Sequence, residues 1–357
     1  MSVFEINIDA IKNNISCIRK LLKHNQKLCF VVKANAYGFG AKTLCENVDK
    51  FVDYFAVSSS KEFFEINKKT TKPILILAPV YCGLKRLISS GAELTISNFE
   101  SFKKVEQVAT CGGINAKIHI AINTGMNRFG FKSKFEINRL IMQIKKSQNI
   151  SICGVFSHYY QGNNEYFAKI QQNKFCEYKA LFDANFKNLT YHISASDGLS
   201  FGNYFDMVRV GMEIYSDKQF PTCTLKTKVL DIQKLMPNDI AGYSFSFIAK
   251  SQKTIAVVGV GYGDGLPRNI VKNGYVLINK NKAKIIAICM DVLIVDVTDF
   301  DVKIFDDVII IGSDGKNKIS ICDIATWCDT IGYEIIVHLL SRLNRKYISQ
   351  GKNICKS

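Results

Sequence analysis

Through about residue 215 the chain alternates short apolar runs with amphipathic stretches, the sequence form of repeated βα units. The runs are LCFVV just before Lys33, YFAVS at 54–58, ILILA at 74–78, ELTIS at 93–97, KIHIAIN at 117–123, SICGVFS at 151–157, LTYHIS at 189–194 and MVRVGMEIY at 207–215. Eight such runs suit a closed parallel barrel. Between them SKEFFEINKK, NFESFKKVEQVA, KFEINRLIMQIKK and EYFAKIQQNKFCEYKALF each carry an apolar stripe and a charged face at helical period, as helices covering such a barrel do. A doubly wound open sheet normally carries a Gly-rich first turn, and VVKANAYGFG lacks the G-x-G-x-x-G spacing. The pattern predicts an α/β fold, an N-terminal (β/α)8 TIM-type barrel over residues 1–219.

From about residue 220 the period changes. TCTLKTKVLDIQKL, KTIAVVGVGYGDG, GYVLINKNKAKIIAICMDVLIVDVTD and DVKIFDDVIIIG read as strands with little helix between them, which predicts a mainly-β C-terminal domain over 220–357. Two helical pieces are expected inside it, SICDIATWC from Ser320 and GYEIIVHLLSRLNRKY from Gly332. No stretch of 18 apolar residues occurs, so no membrane span is expected.

Composition narrows the classes. With 47% hydrophobic and 22% charged residues over 357 positions, the chain has the make-up of a folded protein of two or three domains. Its 47 Lys+Arg against 31 Asp+Glu leave +16, which favours anionic partners. Lysines are interleaved with apolar positions and no basic run of five or six appears, so a solvated Lys-rich exterior is expected, without nucleic acid as partner. The 12 cysteines are scattered with no C-x-x-C pair, which predicts reduced structural thiols and no metal site. The N-terminus carries charges throughout and no apolar core of a secretory signal, so the expected compartment is the cytoplasm.

Reactive groups of a βα barrel sit where strands end, so polar residues following an apolar run are the candidates. Lys33 ends the first run. A lysine leaving an apolar wall is partly desolvated, which lowers its pKa and frees a nucleophilic amine; a lone lysine at a strand end also commonly snorkels to solvent. Its context separates the two readings. VVKANAYGFG at 31–40 resembles the pyridoxal phosphate attachment segment of alanine racemases. NTGMNRFGF at 123–131, FSHYYQGN at 156–163, HISASDG at 192–198, VRVGMEIY at 208–215, AGYSFSF at 241–247, VGYGDGLPR, ICMDVLIVDVT at 288–298 and TIGYEI at 330–335 resemble further segments of that family, in the family's order.

The resemblance implies a pyridoxal phosphate-dependent alanine racemase, interconverting L- and D-alanine by two-base proton exchange and supplying D-alanine for peptidoglycan. It assigns Lys33 to cofactor attachment, and Tyr37, Ser196, the backbone of Gly211 and Met212, and Tyr333 to the phosphate. Arg209 would face the pyridine nitrogen, keeping it unprotonated and weakening the electron sink in favour of simple proton exchange. Arg128 would donate to the cofactor's phenolic oxygen and help bind substrate. Racemisation needs an acid-base group on each face of the α-carbon. Lys33 serves one; Tyr243, delivered by the partner subunit of a homodimer with shared active sites, serves the other, tuned through His158 and Arg209. Met290 and Tyr262 would line the substrate's approach.

Two positions depart from the family pattern. Ala121 stands where many relatives carry a carbamylated lysine that orients the arginine equivalent to Arg128, and Phe39 replaces the usual histidine of the YGHG segment. Three other readings are weighed: a racemase of broader specificity, serine included; a fold-related decarboxylase, which usually carries a Gly-rich phosphate segment and an acidic partner for the ring nitrogen; and a single-barrel cofactor carrier, which the β domain bearing Tyr243 argues against.

Overall fold

The computed structural model describes residues 2–202, 204–216, 219–339 and 342–356. The chain divides into two compact units, one of Ile15–Ala36 with Gly40–Ile214, the other of Met1–Asn14 with Tyr37–Phe39 and Tyr215–Ser357. Its strands begin with β1 (Val3–Asn7), β2 (Lys27–Val31), β3 (Tyr54–Val57), β4 (Ile74–Ile76), β5 (Glu93–Ile96), β6 (Ala116–Ala121), β7 (Ile150–Phe156), β8 (Thr190–His192) and β9 (Met207–Val210).

In the first unit eight strands pair in the order β8-β7-β6-β5-β4-β3-β2-β9, and every pairing is parallel. The ends of that order meet: Ala195 forms a parallel bridge with Arg209, whose backbone N–H donates to the Ser194 carbonyl at 3.1 Å. The ring closes as the run count predicts. Helices on one side and packed side chains on the other bury most strand positions, which is why these segments read as nearly unbroken apolar runs. The expected helices form at Ser60–Ile66, Phe99–Gly112, Lys134–Lys146 and Glu165–Asp183. Reciprocal side-chain caps, Ser59 with Glu62 and Ser133 with Glu136, fix two of their starts by satisfying otherwise orphaned N–H groups.

The second unit adds β10 (Cys223–Leu235), β11 (Ile240–Ala241), β12 (Phe247–Ile248), β13 (Lys253–Val258), β14 (Tyr275–Ile278), β15 (Asn281–Ile288), β16 (Leu293–Asp296), β17 (Asp307–Asp314), β18 (Asn317–Ile319), β19 (Asn344–Ser349) and β20 (Lys352–Lys356). The long β10 is irregular between Val229 and Asp231; its first part pairs with β17 and its second with β13, so the antiparallel β10-β13-β16-β15-β14-β17 set closes on itself. The β11–β12 hairpin carries Tyr243 between its strands. It is pinned by a cluster of Leu235, Ala241, Ala249, Ile255 and Ile286, against which Phe247 and Ile294 pack.

Two expectations change. Counted to residue 219 the barrel would include the chain's start, but β1 pairs antiparallel with β10 and parallel with β19, so Met1–Asn14 belongs to the β unit. The helix expected from Gly332 to Tyr347 stops at His338; Asn344–Ser349 is strand, because pairing with β1 overrides the helical pattern of that segment, while Leu340 and Ser341 lie outside the described residues. Among the described residues no helix is long and apolar enough to cross a membrane.

Candidate active site

Lys33 follows the end of β2 and opens a turn of unusual hand. Ala34, Asn35, Ala36 and Tyr37 have φ of 51°, 52°, 57° and 50°, four successive non-glycine residues in the left-handed region. That conformation costs roughly 1–2 kcal/mol per residue, so specific bonds must hold it. The Ala36 N–H donates to the Val32 carbonyl at 2.8 Å and the Gly40 N–H to the Asn35 carbonyl at 2.9 Å. The Ala41 N–H donates to Asn35 Oδ1 at 2.9 Å, and the Ala34 N–H to Glu62 Oε1 at 2.7 Å. Glu62 thus caps its own helix and ties down the residue beside Lys33.

Lys33 keeps company with cations. Burial first, then the charge of Arg128, with a smaller push from Arg209, moves its pKa below the ordinary lysine value of 10.5; Glu62 opposes them. His158 is pulled from 6.5 to about 3 by burial, Arg209, Arg128 and Lys33, in that order. Arg209, on β9 and 4% exposed, is lowered by burial to about 10 and remains a cation at neutral pH. Its Nη2 donates to the carbonyls of Ser157 (2.7 Å) and Ile193 (3.3 Å) and to His158 Nδ1 (3.3 Å). A guanidinium only donates, so His158 Nδ1 accepts and the imidazole is neutral with its proton on Nε2. The barrel mouth is therefore a collection of positive charge around an amine of lowered pKa, suited to an anionic ligand.

Beside it Ser196 Oγ accepts from the N–H groups of Gly211 (3.2 Å) and Glu213 (3.3 Å), at the turn where Met212 opens the short helix Met212–Tyr215. In the β unit, the Tyr37 ring lies 5.1 Å from that of Tyr215 and 6.0 Å from that of Tyr333. The Tyr262 N–H donates to the Cys289 carbonyl at 3.1 Å and the Gly263 N–H to Met290 at 2.8 Å, which brings Tyr262 and Met290 together. Tyr243 and Met290 present exposed side chains, at 64% and 51%.

The sequence candidates thus fall into groups: Lys33, Arg128, His158 and Arg209 interacting; Ser196 with the 211–213 backbone; Tyr37 with Tyr333; Tyr262 with Met290. Ala121 is buried at the end of β6, and Arg128 is exposed, its guanidinium 5.9 Å from the Phe129 ring centroid. Phe39 stacks on Tyr215 at 4.8 Å and meets Phe4 edge-on at 5.4 Å, so the missing histidine is replaced by apolar packing. Sequence reasoning passed over Glu62, Glu93, His119 and His192. The last three were marked by standing as polar residues inside the apolar runs ELTIS, KIHIAIN and LTYHIS.

Fold and site together define a barrel enzyme built around a partly buried lysine amine, with a mainly-β unit on the same chain. The chain belongs to the alanine racemase family: the N-terminal domain of alanine racemase matches residues 6–219 and the C-terminal domain residues 222–347. It is 33% identical over 367 aligned residues to an alanine racemase of Francisella tularensis, covering 98% of this chain and 100% of the relative. Among solved structures, an alanine racemase of Clostridium difficile superposes with a TM-score of 0.91 at 28% identity, covering 100% of this chain and 98% of that one. One from Bartonella henselae, described with covalently bound pyridoxal phosphate, shares the fold with a TM-score of 0.87 at 24% identity, over 97% of this chain and 99% of that one. The full-length match to both domains leaves the decarboxylase and single-barrel readings without support.

Proposed function

We propose that this racemase interconverts L- and D-alanine with pyridoxal phosphate, acting as a cytoplasmic homodimer that supplies D-alanine for peptidoglycan. The observation that carries the reading is the Lys33 amine, its pKa lowered by burial and by Arg128, at the mouth of a barrel in a chain matching the family over both domains. The donor set fits the cofactor. An amine of lowered pKa suits its aldehyde carbon, a buried cation suits its ring nitrogen, and a hydroxyl beside backbone N–H groups suits its phosphate.

When bound, pyridoxal phosphate withdraws electrons from the substrate's α-carbon and so acidifies its C–H. The protein's part is holding and moving protons. Lys33 Nζ takes or returns the α-proton on one face, and the Tyr243 hydroxyl, from the partner subunit, does so on the other. The exposure of Tyr243 and Met290 on the isolated chain supports that shared arrangement. Arg209 would donate to the ring nitrogen, His158 takes a hydrogen bond from Arg209 and would relay towards the tyrosine, and Arg128 would donate to the phenolic oxygen and help bind substrate. Ser196 and the backbone of Gly211 and Met212 would hold the phosphate, a role the family resemblance extends to Tyr37 and Tyr333; Tyr262 and Met290 would line the substrate's approach.

The test is purification, visible absorbance of the bound cofactor, and D-alanine formation from L-alanine. Lys33→Ala should abolish both the lysine-linked absorbance and turnover. Tyr243→Phe should impair α-deuterium exchange from one enantiomer far more than from the other. A colourless wild type, or an active Lys33→Ala variant, overturns the assignment.

A further inference from the structure

Barrel interiors are filled mainly by branched aliphatic side chains. Here Glu93 on β5, His119 on β6 and His192 on β8 are buried at 3%, 0% and 0% exposure and touch in series. His119 Nε2 lies 2.8 Å from Glu93 Oε2, His192 Nε2 lies 3.1 Å from His119 Nδ1, and Arg209 Nη1 contacts His192 Nδ1.

One end of the series sets every proton in it. Arg209 has donors and no acceptor, so His192 Nδ1 must accept and its proton sits on Nε2. That N–H points at His119 Nδ1, which accepts in turn, leaving the His119 proton on Nε2 and directed at Glu93. This direction of bonding leaves one proton on each imidazole; burial first, then the charge of Arg209, with smaller pushes from His119 and Lys27, holds the His192 pKa well below its ordinary 6.5. At the far end the Tyr54 hydroxyl and Cys153 thiol also face the Glu93 carboxylate. Burial, helped by Glu93, pushes the thiol up to about 12 and the phenol upward, so both keep their protons.

The barrel wall is shaped around this series. The β6–β7 register slips between Ile118 and His119. Across from it Gly154 leaves the room the ring fills: a Cβ there would stand 2.7 Å from His119 Nδ1 and 2.4 Å from the Thr190 carbonyl. His192 stacks on Phe156 at 5.1 Å with 6° between the planes, and Arg209 lies over the same ring at 5.3 Å.

We propose that Glu93, His119 and His192 are positioning residues for Arg209: hydrogen bonds running one way through the barrel interior lock the guanidinium's orientation and hold its counter-charge two neutral imidazoles away. A buried cation needs a counter-charge, yet a carboxylate touching Arg209 would cancel much of its field at the mouth. The spacers meet both demands. The inference rests on the reading above in giving Arg209 the cofactor's ring to face. The ligand atoms of Glu93, His119 and Cys153 also lie within 4.8 Å of one another. A zinc ion would set the His119 nitrogen and Glu93 oxygen about 3.3 Å apart, whereas their 2.8 Å separation is that of a direct hydrogen bond.

The test has two arms. In the 15N-histidine-labelled holoenzyme, whose 5 histidines are assigned by His→Gln variants, His119 and His192 should both appear at about pH 8 as Nε2–H tautomers with Nδ1 accepting, and His192 should stay neutral down to about pH 6. An Nδ1–H tautomer, an imidazolium at either position, or a stoichiometric metal in the purified protein overturns the series. In the second arm Glu93→Gln keeps an acceptor and removes the charge, while His119→Gln interrupts the middle. Each should lower kcat about tenfold in both directions and shift the visible absorbance of bound cofactor, with KM for alanine within about twofold. Glu93→Asp should retain the wild-type absorbance. Because a series is broken only once, the double variant should lose no more than the worse single one. Additive losses, or folded variants with unchanged absorbance and kcat, refute the proposal. Should His119→Gln fail to fold, Glu93→Gln and the tautomers decide it. A colourless, inactive wild type would sink the cofactor reading instead, a result distinct from any tautomer outcome.

Discussion

Replacing Ala34 by glycine should stabilise the barrel, an unusual expectation for a residue next to the lysine proposed to hold the cofactor. Ala34 has φ 51° and ψ 49°, a left-handed conformation costing roughly 1–2 kcal/mol for a residue with a Cβ. Glycine removes that cost but loses more freedom on folding, about 0.5–1 kcal/mol. The methyl is exposed, so no packing is lost, and the Ala34 N–H to Glu62 bond survives the change. The net gain is about 0.5–1 kcal/mol, or about 1–3 °C in Tm for a unit of this size. Ala36→Gly provides the control: the same hand at φ 57°, but a methyl fully buried, whose loss costs about 0.8 kcal/mol and erases the gain. Thermal unfolding of the cofactor-free proteins, followed by circular dichroism, measures both. A lower Tm for Ala34→Gly, or equal shifts for the two variants, would show that the turn is not strained.

Acid should destabilise the protein partly through His158. Its folded pKa of about 3 lies below the unfolded 6.5, so the unfolded chain takes up the proton first and stability falls as pH drops from about 6.5 towards about 3, levelling below. Urea midpoints at about pH 7 and about pH 4.5 should differ less in His158→Gln than in the wild type. Phe39→His, which restores the residue common in the family, should cost about 2–3 kcal/mol here, because an imidazole would be buried between Tyr215 and Phe4; a neutral result by chemical denaturation would contradict that packing. Gly242→Ala should displace the Tyr243 turn: Gly242 has φ 79° and ψ 176°, a region nearly confined to glycine, and an added Cβ would lie 2.6 Å from the Ala287 methyl. The expected outcome is a kcat loss of about tenfold or more with Lys33 chemistry intact, read as unchanged cofactor absorbance.

How far the chain could be read beforehand depended on where each signal lay. The eight barrel runs were legible because strands buried on both faces have no polar alternation to blur them, and the outer helices because their stripes must face the sheet. Asn344–Ser349 misled because its pattern continued a helix while its partner, Val3–Asn7, lay at the other end of the chain; local propensity carries no information on that pairing. Lys33, Arg128, His158 and Arg209 were legible through ordered segments resembling a family. Their mutual proximity, and the depressed pKa values it produces, are properties of three-dimensional placement alone. The left-handed turn was invisible for another reason: KANAY contains no glycine to announce positive φ.

These features belong to one physical arrangement. A lysine amine is useful at neutral pH only if its charged form is penalised, and the structure applies burial first and then neighbouring cations. Crowded cations repel one another and would drift towards solvent if their side chains were free. Arg209 is denied that freedom by the Ser157 and Ile193 carbonyls and by the imidazole series through the barrel; Lys33 is denied it by a strained turn tied to Glu62. The rigid parallel strands from which these residues project make both restraints effective, since a restraint anchored on a mobile loop would yield before the charges did. The polar interior and the left-handed backbone therefore serve the same requirement: holding like charges close enough to lower the pKa of an amine.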